Sequence, residues 1–284
     1  MDQVYENLRD NGYVVVPDVF SVEEVTRCRE AIDRYLRVNS NHYVSSNHGI
    51  SIPDVFGYIE ELRFLLTHQK LLTTIRQACG PQAQLMPHHD LQVDRTSSWH
   101  KDTRDEVEDP WQVGPDGEPF QVYKCGIYPA SCPADYHGIT IRKGSHQCRE
   151  LHHGDVIGLS ARATDVVIFD QRISHCGRRS SIPEKVIRRL VLKDQTWQTR
   201  ICRVYRRFTG AGNRIGLFLS AGVPCDLTTQ FAHNTILRQL RKNAEDPDII
   251  DALSEAFATI REPRGNRHET LSTTSGQTAD SVLC

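Results

Sequence analysis

Asp165-Val166-Val167-Ile168-Phe169-Asp170-Gln171-Arg172-Ile173-Ser174-His175 carries four consecutive apolar, β-prone residues after its first aspartate and closes on an isolated histidine. Such a run predicts a strand over 165–169 that is buried and leads directly to the histidine. Upstream, Trp99-His100-Lys101-Asp102 follows another predicted strand at 91–95 and precedes a long loop and several more strands. A jelly roll lays two such segments side by side, which would bring His100, Asp102 and His175 together.

His-x-Asp supplies an imidazole nitrogen and a carboxylate oxygen close together on extended chain. With one distant histidine it makes the facial triad of non-haem Fe(II), leaving three coordination positions open. The spacing alone is weak evidence. Thirteen histidines and 36 acidic residues in 284 predict roughly 1.6 His-x-Asp/Glu by chance, and three occur: His88/Asp90, His100/Asp102 and His153/Asp155. Context selects the second. On spacing alone, a surface His-Lys-Asp turn and a capped histidine remain an equal reading. The pairs His88/His89 and His152/His153 read as solvated loop residues without a role.

Outward from these segments, the chain changes texture. A short helical stretch ends at Gly12, and Tyr13-Val14-Val15-Val16 is β-prone up to Pro17. Ser21 reads as an N-cap with Glu23 and Glu24 in the first turn, and Val25, Cys28, Ile32 and Leu36 make the apolar stripe of the helix. Residues 37–57 read as polar turns and 58–79 as helical. Short strands are predicted at 121–128 and 138–141. From 183 to 209 the period is helical again, residues 214–220 alternate like a strand, and 227–260 is helical. The polar, Ser/Thr/Gly-rich end at 262–284 predicts disorder.

Composition bounds the function. At roughly 150 residues per domain the length allows two domains, and one β-rich domain with insertions fits equally well. Thirty-four basic and 36 acidic residues leave a net charge of −2, which argues against a nucleic-acid binder. There is no run of about 18 apolar residues to span a bilayer. The N-terminus has neither the basic nor the apolar region of a secretory signal. Nine scattered cysteines without a CxxC pair read as reduced thiols of a cytoplasmic protein.

Taken together, these segments resemble the phytanoyl-CoA dioxygenase family of Fe(II)/2-oxoglutarate-dependent oxygenases. Asn11-Gly12-Tyr13-Val14-Val15-Val16-Pro17 with the helix after it is similar to that family's opening, and Trp99-His100-Lys101-Asp102 to its proximal metal motif. Tyr123-Lys124-Cys125-Gly126-Ile127-Tyr128 resembles the next core strand, Gly138-Ile139-Thr140-Ile141-Arg142-Lys143-Gly144-Ser145-His146 the turn after it, and 165–175 the distal segment. The likeness spans about residues 8–240. It departs at Lys143, where the family usually has proline, and in the longer stretch after His175.

The resemblance implies an α+β protein with a mainly β core: a double-stranded β-helix of the cupin type, flanked by helices. One oxygenase domain would cover 1–261, with a helical insertion at about 177–212. It implies Fe(II) on His100, Asp102 and His175, with 2-oxoglutarate and O2 as co-substrates. The expected reaction is oxidation, foremost hydroxylation, of an unactivated C–H bond in a small molecule. Related halogenases replace the carboxylate ligand with a small residue, so Asp102 favours oxygenation. A cupin-like binding protein without turnover is the alternative.

The far carboxylate of 2-oxoglutarate needs a buried cation, and arginine's planar fork suits it. In the family this arginine opens a strand after the distal histidine. Arg188 and Arg189 have the simple spacing but lie opposite the Val186/Leu190/Trp197/Ile201 stripe of a predicted helix. Arg214 is the better candidate, because 214–220 puts Ile215, Leu217 and Leu219 on one face and Arg214, Gly216 and Ser220 on the other. Gln92 and Lys124 are weaker candidates, each also readable as a structural or surface residue. Between Arg178 and Arg214 stand eleven Lys/Arg against only Glu184 and Asp194. This basic segment reads as a lid attracting an anionic substrate, as a solvated helix face, or as a contact for anionic lipid.

Overall fold

The computed structural model describes residues 3–39, 44–46, 49–95, 97–103, 109–114, 117–130, 138–177, 186, 201, 204–205 and 214–242. Helix α1 (Gln3–Asn11) ends at Gly12, whose φ is +81°. A Cβ there would lie 2.5 Å from His146 Nδ1, so both conformation and space require glycine. Strand β1 (Tyr13–Val16) follows, then helix α2 (Val22–Val38). Ser21 and Glu24 close a reciprocal capping box on α2, with Ser21 Oγ accepting from the Glu24 amide at 3.2 Å and Glu24 Oε2 from the Ser21 amide at 2.8 Å.

Two expectations are corrected here. Residues 37–57, read as turns, contain strands β2 (Val44–Ser46) and β3 (Gly49–Pro53). Ile50 and Ile52 of β3 are buried, but the serine and proline beside them hid the alternation. Residues 58–79, read as one helical stretch, follow the short helix α3 (Val55–Tyr58) as a 3-10 helix (Glu60–Thr67) and then α4 (Gln69–Cys79). His68 makes the break. Its Nδ1 accepts from the Leu71 amide at 3.1 Å and caps α4, while its Nε2 lies 3.0 Å from Glu24 of α2.

The remaining strands are β4 (Gln84–Val93), β5 (Val122–Ile127), β6 (Thr140–Arg142), β7 (Val156–Gly158), β8 (Val166–Asp170), β9 (His175–Cys176) and β10 (Ile215–Gly222). The strand expected at 91–95 is thus the end of a longer one. The large sheet runs β1-β8-β5-β10-β4-β3-β2 and the small one β7-β6-β9, and every pairing is antiparallel. His100 adds a bridge to His175 at the edge of the small sheet. This is the expected jelly roll.

Alternation along the central strands sorts the side chains. Ile215, Leu217 and Leu219 of β10, Leu91 and Val93 of β4, and Val166 and Ile168 of β8 join Leu62, Leu65, Leu71 and Ile75 in the core under the helices. The opposite face turns toward the small sheet. There Val167, Phe169 and Phe218 pack with Ile139, Ile141 and Ile173, and polar residues line a cavity. Helix α5 (Asp226–Lys242) forms the start of the helical region expected at 227–260. The rest of that region, the tail at 262–284, Arg189 and most of the 177–212 insertion lie outside the described residues. Within the insertion, residues 186, 201, 204 and 205 are helical.

Candidate metal centre

The structure brings His100, Asp102 and His175 together, one ligating atom from each lying within 4.8 Å of the others. Among the described residues this is the one such cluster of His, Cys, Asp or Glu. His100 Nε2 is 3.5 Å from Asp102 Oδ1, and His175 Nε2 is 3.7 Å from Asp102 Oδ2. Backbone pairing sets this geometry. The amides of His100 and His175 each donate to the other's carbonyl at 2.9 Å, and the Asp102 amide donates to Gln171 O at 3.0 Å.

Backbone carbonyls also orient both rings. His100 Nδ1 lies 2.8 Å from Ser98 O and His175 Nδ1 lies 3.1 Å from Ile173 O. A carbonyl only accepts, so each Nδ1 carries a proton and each Nε2 is the atom turned toward Asp102. Burial pushes the His175 imidazole down to about 3, which keeps it neutral. Burial opposes the Asp102 charge, but the Lys124 ammonium beside it holds the carboxyl well below its usual range. Two imidazole nitrogens and a carboxylate fit a divalent first-row metal.

Lys101, between the two motif residues, points the other way. Its Nζ donates to Ser145 O at 2.6 Å and Arg172 O at 2.7 Å, tying the motif to the Gly-Ser-His turn and to the segment before His175. Burial pushes its amine down to about 8. Trp99 is half-buried under the Arg142 guanidinium, 4.8 Å from the ring centre. Lys143 stands at the turn without disturbing it, its amide donating to Asp155 O at 2.9 Å.

A cavity of about 440 Å³ opens from the triad. Arg214 lines it from the start of β10, with its Nε buried and without a partner among the described residues. The Arg214 guanidinium lies 5.6 Å from the Tyr128 ring centre, and the bare Gly177 leaves room beside it. Lys124, a weaker co-substrate candidate also readable as structural or surface, is buried, and its Nζ donates to Asp102 Oδ2 at 2.7 Å. Gln92 lines the cavity and donates to Asp90 Oδ2 at 2.5 Å.

His88 and His89, read as solvated, are both buried on β4. His88 faces the cavity with Nδ1 2.8 Å from Ser220 Oγ, and burial pushes it down to about 4. His89 faces the helices, 4.8 Å edge-on to Phe56. The signal lay in Leu91 and Val93, whose apolar alternation extends back through His89. His152 and His153 are exposed, as read.

No family model and no curated protein matches the sequence. Solved structures do. The non-heme alpha ketoglutarate dependent epimerase SnoN from nogalamycin biosynthesis matches with TM-score 0.55 and 14% identity, over 77% of this chain and 80% of that one. EctD from S. alaskensis, with 2-oxoglutarate and 5-hydroxyectoine, matches with TM-score 0.54 and 15% identity, over 78% and 76%. HygX from Streptomyces hygroscopicus, with nickel, 2-oxoglutarate and hygromycin B, matches with TM-score 0.54 and 15% identity, over 78% and 87%. The shared feature is the fold, a cupin-type jelly roll.

Proposed function

We propose that this chain is a non-haem Fe(II)- and 2-oxoglutarate-dependent oxygenase of the phytanoyl-CoA dioxygenase type, with residues 1–261 as its catalytic domain. The observation that carries the reading is the convergence of His100, Asp102 and His175 on a cavity that also holds Arg214. Bound there, Fe(II) with 2-oxoglutarate and O2 would supply oxidation of an unactivated C–H bond. The chain's own part is to hold the ions and exclude water. His100 and His175 present their Nε2 atoms, Asp102 supplies the anionic ligand, and Arg214 offers its fork to the distal carboxylate. Phe169, Phe218 and Ile139 supply apolar wall around the reacting centre.

The favoured substrate is a small anion. Besides Lys124, paired with Asp102, and Arg214, offered to 2-oxoglutarate, Arg95 and Arg238 line the cavity against one further carboxylate, Asp90. Hydroxylation is the first expected outcome. Because an epimerase and a carbocyclase are among the neighbours, the product assay should also detect inversion and ring closure. The deciding experiment measures succinate release from 2-oxoglutarate with Fe(II), O2 and a panel of anionic metabolites. Release should vanish in His100→Ala and His175→Ala. Full release in either variant would refute the ligand assignment, and ligand binding without release from any substrate would favour the cupin-like binding protein.

A further inference from the structure

The distances within the triad pose a question of ligand mode. Asp102 Oδ1 is 3.5 Å from one ligand nitrogen, and Oδ2 is 3.7 Å from the other. The imidazoles therefore do not select between a carboxylate that binds a metal through one oxygen and one that binds through both. Lys124 does select. Its Nζ is 2.7 Å from Oδ2. We propose that Lys124 is a positioning residue that reserves Oδ2, so that Asp102 offers a metal Oδ1 alone.

The ammonium is poorly placed to leave. Lys124 sits on β5, paired on one side with β10 and on the other with β8, so its backbone is fixed at the middle of the large sheet. Its side chain is buried, with Nζ 5.5 Å from the Phe218 ring centre. Breaking the pair would strand a buried charge, which costs more than a surface pair would. Asp90, the other carboxylate lining the cavity among the described residues, already has one oxygen engaged by Gln92.

The consequence rests on the oxygenase reading. A facial triad bound through one carboxylate oxygen leaves three of six positions open. A chelating 2-oxoglutarate takes two and leaves one for O2. Were Asp102 to bind through both oxygens, the chelator would fill the last two positions. On this account Lys124 controls how many positions stay open, and the affinity of the site for metal is secondary.

Co(II) tests this, because its visible absorption reports coordination number without oxidation. Wild type, Lys124→Met and Lys124→Ala would be titrated with Co(II), then with 2-oxoglutarate, after thermal melting confirms folding. In both variants we expect Co(II) to bind at least as tightly as in wild type. Its spectrum should change before any 2-oxoglutarate is added, and 2-oxoglutarate affinity should fall on the order of tenfold. The inference is overturned if a folded variant keeps the wild-type Co(II) spectrum, even where 2-oxoglutarate binding weakens, since Lys124 would then contact the co-substrate directly. Loss of Co(II) binding in a folded variant also overturns it. If wild type binds Co(II) no better than His100→Ala does, the oxygenase reading itself fails.

Discussion

Replacing His89 with phenylalanine should remove a large part of the protein's acid sensitivity. His89 is 1% exposed, and neither ring nitrogen has a hydrogen-bond partner among the described residues. Burial pushes its imidazole down to about 3, against about 6.5 for an unperturbed histidine. The unfolded chain therefore binds a proton between those values that the folded chain refuses, and stability falls as pH drops below about 6.5. At pH 5 the unfolded ring is almost fully protonated and the folded ring almost fully neutral. The gap of about 1.5 pH units below 6.5, at 1.36 kcal/mol per unit, gives about 2 kcal/mol. At pH 7.5 the contribution is close to zero. Phenylalanine keeps the aromatic contact with Phe56 and titrates nowhere, while His88 stays in both proteins. Urea unfolding at pH 5 and pH 7.5, followed by circular dichroism, isolates the effect. The stability difference between the two pH values should be smaller in His89→Phe than in wild type by about 2 kcal/mol. An equal difference in the two proteins would show that native His89 takes up its proton normally, and the burial argument would fail.

Asp54 gives the opposite sign. Burial pushes its carboxyl up to about 6, so the folded state is penalised as pH rises from about 4 through 6. Asp54→Asn should stabilise the protein at pH 7.5 by at most about 3 kcal/mol and do nothing at pH 3.5, as read by the same unfolding curves. Arg214→Ala should weaken 2-oxoglutarate binding on the order of a hundredfold, the loss of a charge-assisted fork, whereas Arg189→Ala barely changes it. Calorimetric titration of the metal-loaded protein decides this, and a larger defect in Arg189→Ala would transfer the role. If the basic segment steers an anionic substrate, kcat/KM should fall with ionic strength, and Arg203, Arg206 and Arg207 changed together to Gln should flatten that dependence. Unchanged turnover at low salt would dismiss the steering role.

Legibility of the fold in the sequence followed the kind of residue. β10 was readable because its apolar and polar residues alternate, and β8 because its apolar run is unbroken. The capping box on α2 is local chemistry and was readable for the same reason. β3 was missed because two buried isoleucines among serine, glycine and proline make too short a pattern. β4 was half-missed because its inward residues, His88, Asp90 and Gln92, are polar. A strand facing a polar cavity loses the hydrophobic signature that announces strands elsewhere. The Lys124–Asp102 pair had no local trace at all, since its partners meet only when β5 and the metal motif are folded against each other. Lys101 likewise looked like an ordinary charge between two ligands, because its carbonyl partners come from residues 145 and 172.

Strand β1 closes one end of the large sheet and covers β8, whose Val166-Val167-Ile168-Phe169 run is buried along its length. Its hold is reinforced where the Asp170 amide donates to Gly12 O at 2.9 Å and where His146 Nε2 meets Arg9 O at the same distance. A chain lacking its first sixteen residues would leave that run as an unpaired edge, rich in β-branched and aromatic side chains and short of charge. Such edges recruit other chains. The N-terminal segment therefore guards against self-association, and a truncation made there for convenience would favour aggregates before any question of activity arose.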